Sequence, residues 1–400
     1  MKFISSLFIV LLSVSLYAQD NKETTKKEEG YKFTTIVDLP ATSIKDQYRS
    51  GTCWSFSSMS FLESEMLRLG KDTADLSEMF AVRLCYSDKA IKYVRLHGFL
   101  NFGGGGAFHD VTYVLKKYGM VPEEAYKGLN YGEDNHVHGE LDEVLKDYVD
   151  GVIKNKNKKI STAWHNGFDG ILDAYLGKLP EEFEVNGKTY TPQSYAKEVV
   201  GLNPDDYVEI TSFTHHPFYT KFAIEIPDNW LWDDVYNVPL EDLKEIFHYA
   251  LEKGYTIAWG ADVSEKGFSF RKGIAIVPDE NVKDMAGLER AKWEKMTKSE
   301  REQMLYNFDG PVKEKEITQE MRQKAFDNYK TTDDHGMHIT GMVKDQTGKI
   351  FYKVKNSWNT NNKYNGYFYA SEPFVLYKTM DIMIHKDALP KEIRKKLGIK

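Results

Sequence analysis

Helical patterns fill most of the first half of this 400-residue chain, and strand patterns fill its C-terminal third. In 54–69 and 240–254, apolar residues recur at spacings of three and four, as on one face of an amphipathic helix, and a glycine marks the end of each stretch. Between 337 and 385, short runs alternate apolar and polar residues and are separated by glycine turns, as strands do. Helices followed by strands are typical of an α+β architecture, and they argue against an alternating, doubly wound fold.

The composition changes along the chain divide it into regions. A chain of 400 residues exceeds what one small core usually serves, so several subdomains or one large decorated domain are expected. We predict a signal peptide at 1–18, a flexible polar leader at 19–30, a helical lobe at 31–124, an inserted and mostly helical subdomain at 125–239, and a sheet lobe at 240–400 with a helical insertion at about 284–330.

The N-terminus has the pattern of a secretory signal. Lys2 supplies a positive start, residues 3–17 are almost unbroken apolar residues and small serines, and a polar run follows Ala18. The alternative is a retained membrane anchor, but the apolar stretch of about 15 residues is short of the roughly 20 that a spanning helix needs. We therefore expect cleavage near Ala18 and an exported protein, periplasmic or extracellular, without a membrane anchor.

Charge and cysteine content exclude some classes of protein. The net charge is −7, whereas a nucleic-acid-binding domain normally carries a strong basic excess. The lysine-rich run at 154–159 is a local exception, and a solvated loop or helix end explains it. The only two cysteines are Cys53 and Cys85, too few for a disulfide framework. A single bridge between them is possible by count, but Cys53 is better explained as a reactive residue.

The strongest chemical signal is Gln-Tyr-Arg-Ser-Gly-Thr-Cys-Trp at 47–54. Cys53 stands where the first predicted helix begins, and there the helix dipole and free backbone N–H groups favour the thiolate that acts as a nucleophile. Gln47 brings a side-chain amide that, with the Cys53 N–H, would supply two donors to the oxyanion of a tetrahedral intermediate. A buried structural thiol is the alternative for a cysteine in this setting.

Two later segments complete a catalytic set. His338 enters one strand, and Asn356 ends the next, with a short turn at Gly348 between them. We expect the imidazole and the amide to lie side by side, so that the amide oxygen fixes the tautomer of the ring and aims its other nitrogen at the thiol. Trp358 would cover this hydrogen bond. The predicted roles are nucleophile for Cys53, base for His338 and orienting group for Asn356.

Gly105 and Gly106 lie in a glycine run before the predicted helix at 108–118. Because glycine leaves room for a close backbone, an extended substrate would lie against them as an added strand. A plain loop is the alternative. The run is not a phosphate-binding loop, since no Gly-Lys-Ser/Thr follows it.

Together these segments resemble the signature segments of papain-like cysteine peptidases. The resemblance rests on 47–54, on Met-His-Ile-Thr-Gly at 337–341 and on Lys-Asn-Ser-Trp at 355–358. It implies a papain-like fold in which a helical lobe faces a lobe of antiparallel sheet. Cys53 and His338 are 285 positions apart, against roughly 130–150 in the papain pattern, and the inserted regions account for the surplus.

Further segments resemble the bleomycin hydrolase and aminopeptidase C branch of that family. They lie at 105–122, 203–208, 236–263 and 385–392, and the likeness covers about residues 31–395. It implies an aminopeptidase acting on peptides, a ring-like hexamer with its sites facing an internal channel, and a C-terminal arm whose carboxylate receives the substrate's N-terminal amine. This chain ends ten residues after Pro390, where those relatives continue.

Other functions are weighed against this one. A papain-like endopeptidase with an open cleft would use the same residues, and a catalytically inactive, papain-shaped binding protein would usually lack the nucleophile or the base. Metal catalysis is not expected, because no His-Glu-x-x-His helix is present and the cysteines are far apart. The close histidine pairs are 335 and 338, 215 and 216, and 136 and 138. No metal and no cofactor are predicted.

Overall fold

The structure is a computed structural model that describes residues 30–280 and 287–400. The predicted signal peptide at 1–18 and the predicted leader, up to residue 29, lie outside the described residues. Among the helices of the described ranges, none has the length and apolar character needed to cross a membrane.

As predicted, helices dominate before residue 200 and strands dominate after residue 335, but one strand, 33–38, precedes every helix and joins the C-terminal sheet. The helices are α1 Cys53–Arg68, α2 Glu78–Arg95, α3 Phe108–Lys117, α4 Gly139–Ile153, α5 Ala163–Leu176, α6 Pro192–Tyr195, α7 Leu240–Glu252, α8 Gly287–Lys295, α9 Lys298–Leu305, α10 Gln319–Asp327, α11 Glu372–Lys378 and α12 Lys391–Lys396. The strands are β1 Phe33–Asp38, β2 Phe183–Val185, β3 Lys188–Tyr190, β4 Tyr207–Thr211, β5 Lys221–Ala223, β6 Asp234–Asn237, β7 Ile257–Ala261, β8 Phe268–Ser269, β9 Ile274–Ala275, β10 His335–Asp345, β11 Ile350–Lys355, β12 Tyr367–Ser371 and β13 Thr379–His385.

Strand β10 is the centre of an eleven-stranded sheet. The order is β5-β6-β4-β13-β7-β10-β11-β12-β9-β8, and β1 also pairs with β10. Its partners β7 and β11 run antiparallel to it, and β13 runs antiparallel to β7. Helices packed beside a mostly antiparallel sheet confirm the predicted α+β class.

Helix α1 lies between the helices and this sheet. Every residue from Trp54 to Met66 is buried, so the helix has no solvent face over that stretch. It packs against α2 and α3 on one side and against β10 and β7 on the other. The buried carboxylates on α1 have partners: Glu65 accepts from Arg68 at 2.7 Å, and Glu63 accepts from the backbone N–H of Leu76 at 2.9 Å. Helix α1 is thus packed between the other helices and the sheet.

Two large hydrophobic clusters form the core. One joins α1, α2 and α3 to α4 and α5, so the helical part of the predicted insertion shares the core of the N-terminal helices. The other lies between the sheet and helices α7, α11 and α12. Strands β4, β5 and β6, which also fall within 125–239, extend the sheet beyond β13. The domain boundaries stay a prediction.

Candidate active site

Cys53 is the first residue of α1, as the sequence predicts. The loop before it is fixed by its own hydrogen bonds, in which the Ser50 hydroxyl donates to the Gln47 carbonyl at 2.8 Å and lies 2.6 Å from the Thr52 hydroxyl. Thr52 makes no side-chain cap, so the helix keeps free N–H groups at its start. Cys53 is a free, partly buried thiol, and Cys85 is also free and is buried.

A cleft opens beside the Cys53 side chain. Both halves of the molecule line it: Cys53, Trp54, Gly105, Gly106, Ala107, Phe108, Ile226, Asp228, Gly260, Asp333, Asp334, His335, Gly336 and Asp381. His335 is the one histidine among these residues. It therefore shares the cleft with the thiol, and His338 does not line it.

His335 carries the hydrogen bond that was predicted for His338. Its Nε2 donates to Asn356 Oδ1 at 2.7 Å, and the same oxygen accepts from the backbone N–H of Ser357 at 2.9 Å. The indole of Trp358 stacks on the imidazole, with ring centroids 4.4 Å apart and planes inclined by 28°. Because Nε2 is engaged, Nδ1 is the nitrogen left to accept a proton, and Trp358 shields the bond as expected.

The predicted pairing of His338 with Asn356 is wrong, and a β-bulge is the reason. From the turn up to Gly341, which pairs with Lys353, the β10 and β11 ladder is regular, and continued unchanged it would place residue 338 opposite 356. The register shifts by one residue between Ile339 and Gly341, and His338 then pairs with Lys355. A shift of one residue exchanges the two faces of a strand. After the shift, position 356 lies opposite position 337. His335 is two residues from 337 and therefore on the same face of the strand, and its ring bonds to Asn356.

His338 instead lies in the interior between α1 and the sheet. Its Nδ1 is 2.9 Å from the Ser60 hydroxyl oxygen, which accepts from Lys355 Nζ at 2.7 Å. The ring of Phe61 packs edge-on against it at 6.1 Å. Burial, and then the charge of Lys355, lower the pKa of His338 well below its usual value. This ring is a neutral structural group that joins the lobes.

Burial opposes a single charge on either member of the Cys53 and His335 pair. It raises the pKa of the Cys53 thiol to about 12, although the backbone N–H groups of Gly336 and Trp54 lower that pKa by hydrogen bonding to the sulfur. It lowers the pKa of His335 to about 4, against the opposite effect of the bond to Asn356. Moving the proton from sulfur to ring makes two opposite charges that attract each other, so the pair avoids carrying one uncompensated charge.

Gln47 is buried beside the segment that carries Asn356. Its Nε2 donates to the Ser50 carbonyl at 2.8 Å, and its Oε1 accepts from the Ser357 hydroxyl at 2.7 Å. One amide hydrogen is therefore used within the loop before Cys53. Gln47 is not among the residues that line the cleft. Its role as an oxyanion donor stays a prediction.

Gly105 and Gly106 form part of the cleft wall. The Trp54 indole N–H donates to the Gly104 carbonyl at 2.9 Å and holds this wall against the start of α1. A Cβ on Gly106 would lie 2.8 Å from the Trp54 ring, and one on Gly105 would lie 2.0 Å from Asp228 Oδ2. At Gly106 the indole ring leaves no room for a Cβ, whereas at Gly105 the Asp228 carboxyl group would have to move aside. Their contact with substrate stays a prediction.

Four aspartates of the cleft escaped the sequence analysis. Asp228, Asp333, Asp334 and Asp381 come from segments that span 153 positions of the chain and meet only in the fold. Asp333 stands two residues before His335, and this closeness was the only sequence signal available.

A possible metal-binding group lies outside the cleft lining. Within 30–280 and 287–400, the ligand atoms of His215, His216 and Glu225 lie within 4.8 Å of one another. Glu225 is hydrogen-bonded to both rings, at 2.9 Å and 2.8 Å. These bonds account for the cluster without an ion.

The C-terminal residues pack on the sheet lobe. Ile393 and Leu397 join the hydrophobic cluster of α7 and the sheet, and Arg394 pairs with Asp387. None of residues 386–400 lines the cleft.

Comparison with known proteins places this geometry in context. The model of the Peptidase C1-like family matches residues 92–305 and 304–399. Aminopeptidase C of Streptococcus thermophilus is 23% identical over 416 residues, which cover 92% of this chain and 86% of that protein. The mitochondrial cysteine proteinase 1 of Saccharomyces cerevisiae is 20% identical, with 94% of this chain and 81% of that protein covered.

A solved structure shares the fold. PepW from Lactobacillus rhamnosis HN001 matches with a TM-score of 0.67 at 19% identity, covering 91% of this chain and 84% of that one. The papain-like α+β fold expected from the sequence is confirmed.

Proposed function

The chain belongs to the Peptidase C1-like family, and we propose that it is a cysteine aminopeptidase that works through an acyl-enzyme on Cys53. One observation carries the proposal: the cleft that holds the Cys53 thiol also holds an imidazole whose Nε2 is bonded to Asn356, under the ring of Trp358. Relatives named aminopeptidase C, G and E support the aminopeptidase assignment.

The proposed reaction begins with proton transfer from Cys53 Sγ to His335 Nδ1. The sulfur attacks the carbonyl carbon of the scissile peptide bond, and the resulting oxyanion receives hydrogen bonds from the Cys53 N–H and from the Gln47 amide. His335 returns the proton to the leaving nitrogen, so the C–N bond breaks and a thioester remains. Water, deprotonated by His335, then attacks the thioester and releases the carboxylic acid and the thiol.

Asn356 and Trp358 act on this reaction as positioning residues. The amide oxygen holds one tautomer of His335, and the indole fixes the ring plane and excludes water from the hydrogen bond. Neither group touches the reacting atoms in this scheme. Their removal therefore lowers the fraction of time for which Nδ1 points at the sulfur.

A peptidase assay with matched cysteine variants tests the function. We expect Cys53→Ala to abolish hydrolysis of a fluorogenic aminoacyl amide, and Cys85→Ala, which removes a thiol outside the cleft, to keep it. Iodoacetamide should label Cys53 in the native protein. An unreactive Cys53 together with unimpaired hydrolysis by Cys53→Ala would refute the assignment.

The same assay separates an aminopeptidase from an endopeptidase. An aminopeptidase should cleave the substrate with a free α-amine faster than its N-acetylated form. Faster cleavage of the blocked form would instead support an open-cleft endopeptidase.

We also propose export of the protein, on the basis of the apolar pattern of residues 3–17. N-terminal sequencing of the protein purified from its natural source would detect cleavage near Ala18. A ring-like oligomer stays a prediction of the family resemblance, and sedimentation velocity would measure it.

A further inference from the structure

Two adjacent histidines and one glutamate converge outside the catalytic cleft. His215 and His216 lie in the loop between β4 and β5, and Glu225 lies just after β5. Glu225 Oε2 is 2.9 Å from His215 Nε2, and Glu225 Oε1 is 2.8 Å from His216 Nε2. One ligand atom from each of the three residues lies within 4.8 Å of the other two. The hydrogen bonds that account for the cluster without an ion thus also bring together the ligand atoms for one.

Packing fixes the orientation of both imidazole rings. The His215 ring stacks on Phe326 of α10, with centroids 5.4 Å apart and planes inclined by 10°. The His216 ring stacks on Phe222 of β5, with centroids 4.2 Å apart and planes inclined by 22°. Both Nε2 atoms therefore face Glu225 because neighbouring elements hold the rings there. A ligand set held in this way needs little reorganisation when it binds.

Gln323 supplies a partner for the other ring nitrogen of His215. His215 Nδ1 lies 3.4 Å from Gln323 Oε1 and 3.0 Å from Nε2 of the same amide. This amide is itself fixed, since its Oε1 accepts from the Thr214 N–H at 2.5 Å and its Nε2 donates to Asp327 Oδ1 at 2.8 Å. Histidines that bind a metal usually donate their second ring N–H to a fixed oxygen. When the ring proton moves from Nε2 to Nδ1, Gln323 Oε1 accepts it, and Nε2 binds the ion without net loss of a proton.

We propose that His215, His216 and Glu225 bind a divalent transition-metal ion such as Zn²⁺. Two imidazoles and a carboxylate suit zinc and its neighbours, whereas Mg²⁺ and Ca²⁺ prefer oxygen ligands. Bonds of about 2.0–2.2 Å place two ligand atoms of a tetrahedral ion roughly 3.4 Å apart, so the side chains need to shift by on the order of 1 Å or less. Water takes the remaining coordination position.

The ion would brace the chain where it enters the catalytic cleft. Ile226 follows Glu225 directly and lines the cleft. A metal on Glu225 ties this segment to the loop after β4 and, through Gln323, to α10. Neither the two histidines nor Glu225 lines the cleft, so the ion has a structural role and takes no part in the reaction. The proposal is therefore independent of the peptidase function.

Zinc titration of the untagged protein tests the site, in a Cys53→Ala background that removes the cleft thiol as a competing ligand. Isothermal titration calorimetry with ZnCl₂ should show one ion per chain, and the thermal unfolding midpoint should rise with zinc concentration. MgCl₂ should leave the midpoint unchanged. Gln323→Ala should weaken zinc binding about 10- to 100-fold, as for loss of a group that orients a ligand. His216→Ala and Glu225→Gln should weaken it at least as much, because each removes a ligand itself.

His97→Asn is the matched control and should bind zinc as the parent does. His97 is exposed, lies outside the cluster, and has a backbone φ of 55°, which asparagine tolerates. Thermal unfolding without metal shows whether each variant folds. If His216→Ala does not fold, Glu225→Gln decides the question, since the Glu225 side chain is 55% exposed and the amide keeps its shape.

Three results would overturn the site: a parent protein that binds no stoichiometric zinc, a zinc affinity unchanged in Glu225→Gln, or an equal rise of the midpoint with MgCl₂. None of them touches the peptidase function, which hydrolysis by the protein with Cys53 intact measures separately.

Discussion

Exchanging each of two nearby histidines for alanine separates the catalytic ring from the structural one. His335 shares the cleft with Cys53 and bonds to Asn356, whereas His338 bonds to Ser60 in the interior. If His335 is the proton carrier, His335→Ala should lower kcat/KM by about 10²–10⁴-fold, which is the usual contribution of a general acid or base. The fold should remain, because the variant loses one hydrogen bond, to Asn356, and the stacking of the ring on Trp358.

His338→Ala should have the opposite profile. It removes one buried hydrogen bond, to the Ser60 hydroxyl, and the packing of the ring on Phe61. We expect the free energy of unfolding to fall by about 2–4 kcal/mol. Activity per folded molecule should change less than about threefold, since no atom of His338 lines the cleft.

The assay combines three measurements on each variant: kcat/KM with a fluorogenic aminoacyl amide, the rate of iodoacetamide labelling of Cys53, and the free energy of unfolding in urea. Kinetics are recorded well below the unfolding midpoint of the weaker variant. Equal losses of kcat/KM in the two variants, or a larger loss in His338→Ala, would refute the assignment of His335.

Three further outcomes follow from the same geometry. Asn356→Ala should lower kcat/KM by about 10–100-fold without changing the number of reactive thiols, because one hydrogen bond orients the ring; titration of the thiol checks the second part. Gly106→Ala should lower the free energy of unfolding by about 1–3 kcal/mol, since its Cβ would meet Asp110 and Trp54, whereas Gly103→Ala meets no atom within 4 Å and should be neutral in urea unfolding. Burial lowers the pKa of His138 to about 4, so between that value and about 6.5 the unfolded chain binds a proton that the folded one does not. Wild type should therefore lose about 2 kcal/mol of unfolding free energy at His138 between pH 7.5 and pH 5, and His138→Leu should lack this loss in urea titrations at the two pH values.

The sequence predicts the nucleophile well because its signal is local. Cys53 follows a loop with turn residues and begins a stretch with clear helical periodicity, and α1 starts at that residue. The order of helices and strands is equally visible, since each element carries its own pattern. Strands β10 to β13 therefore lie within 335–385, close to the range of 337–385 in which strand patterns are expected.

The base was misassigned because its position depends on strand register. Counting from the turn at Gly348 gives the wrong face once the ladder shifts between Ile339 and Gly341. A bulge of this kind arises from how two strands meet the rest of the sheet, and no single residue signals it. The acidic cleft wall was missed for a related reason, because Asp228, Asp333 and Asp381 come from three unrelated segments.

The burial of α1 on every side has a consequence for how the protein unfolds and loses activity on heating. Its amides from Trp54 to Met66 cannot reach solvent by fraying of one edge, since helices cover one side and the sheet covers the other. In hydrogen exchange they should belong to the slowest class, which opens only with the whole molecule. Thermal inactivation should then coincide with global unfolding and show no earlier, partial phase.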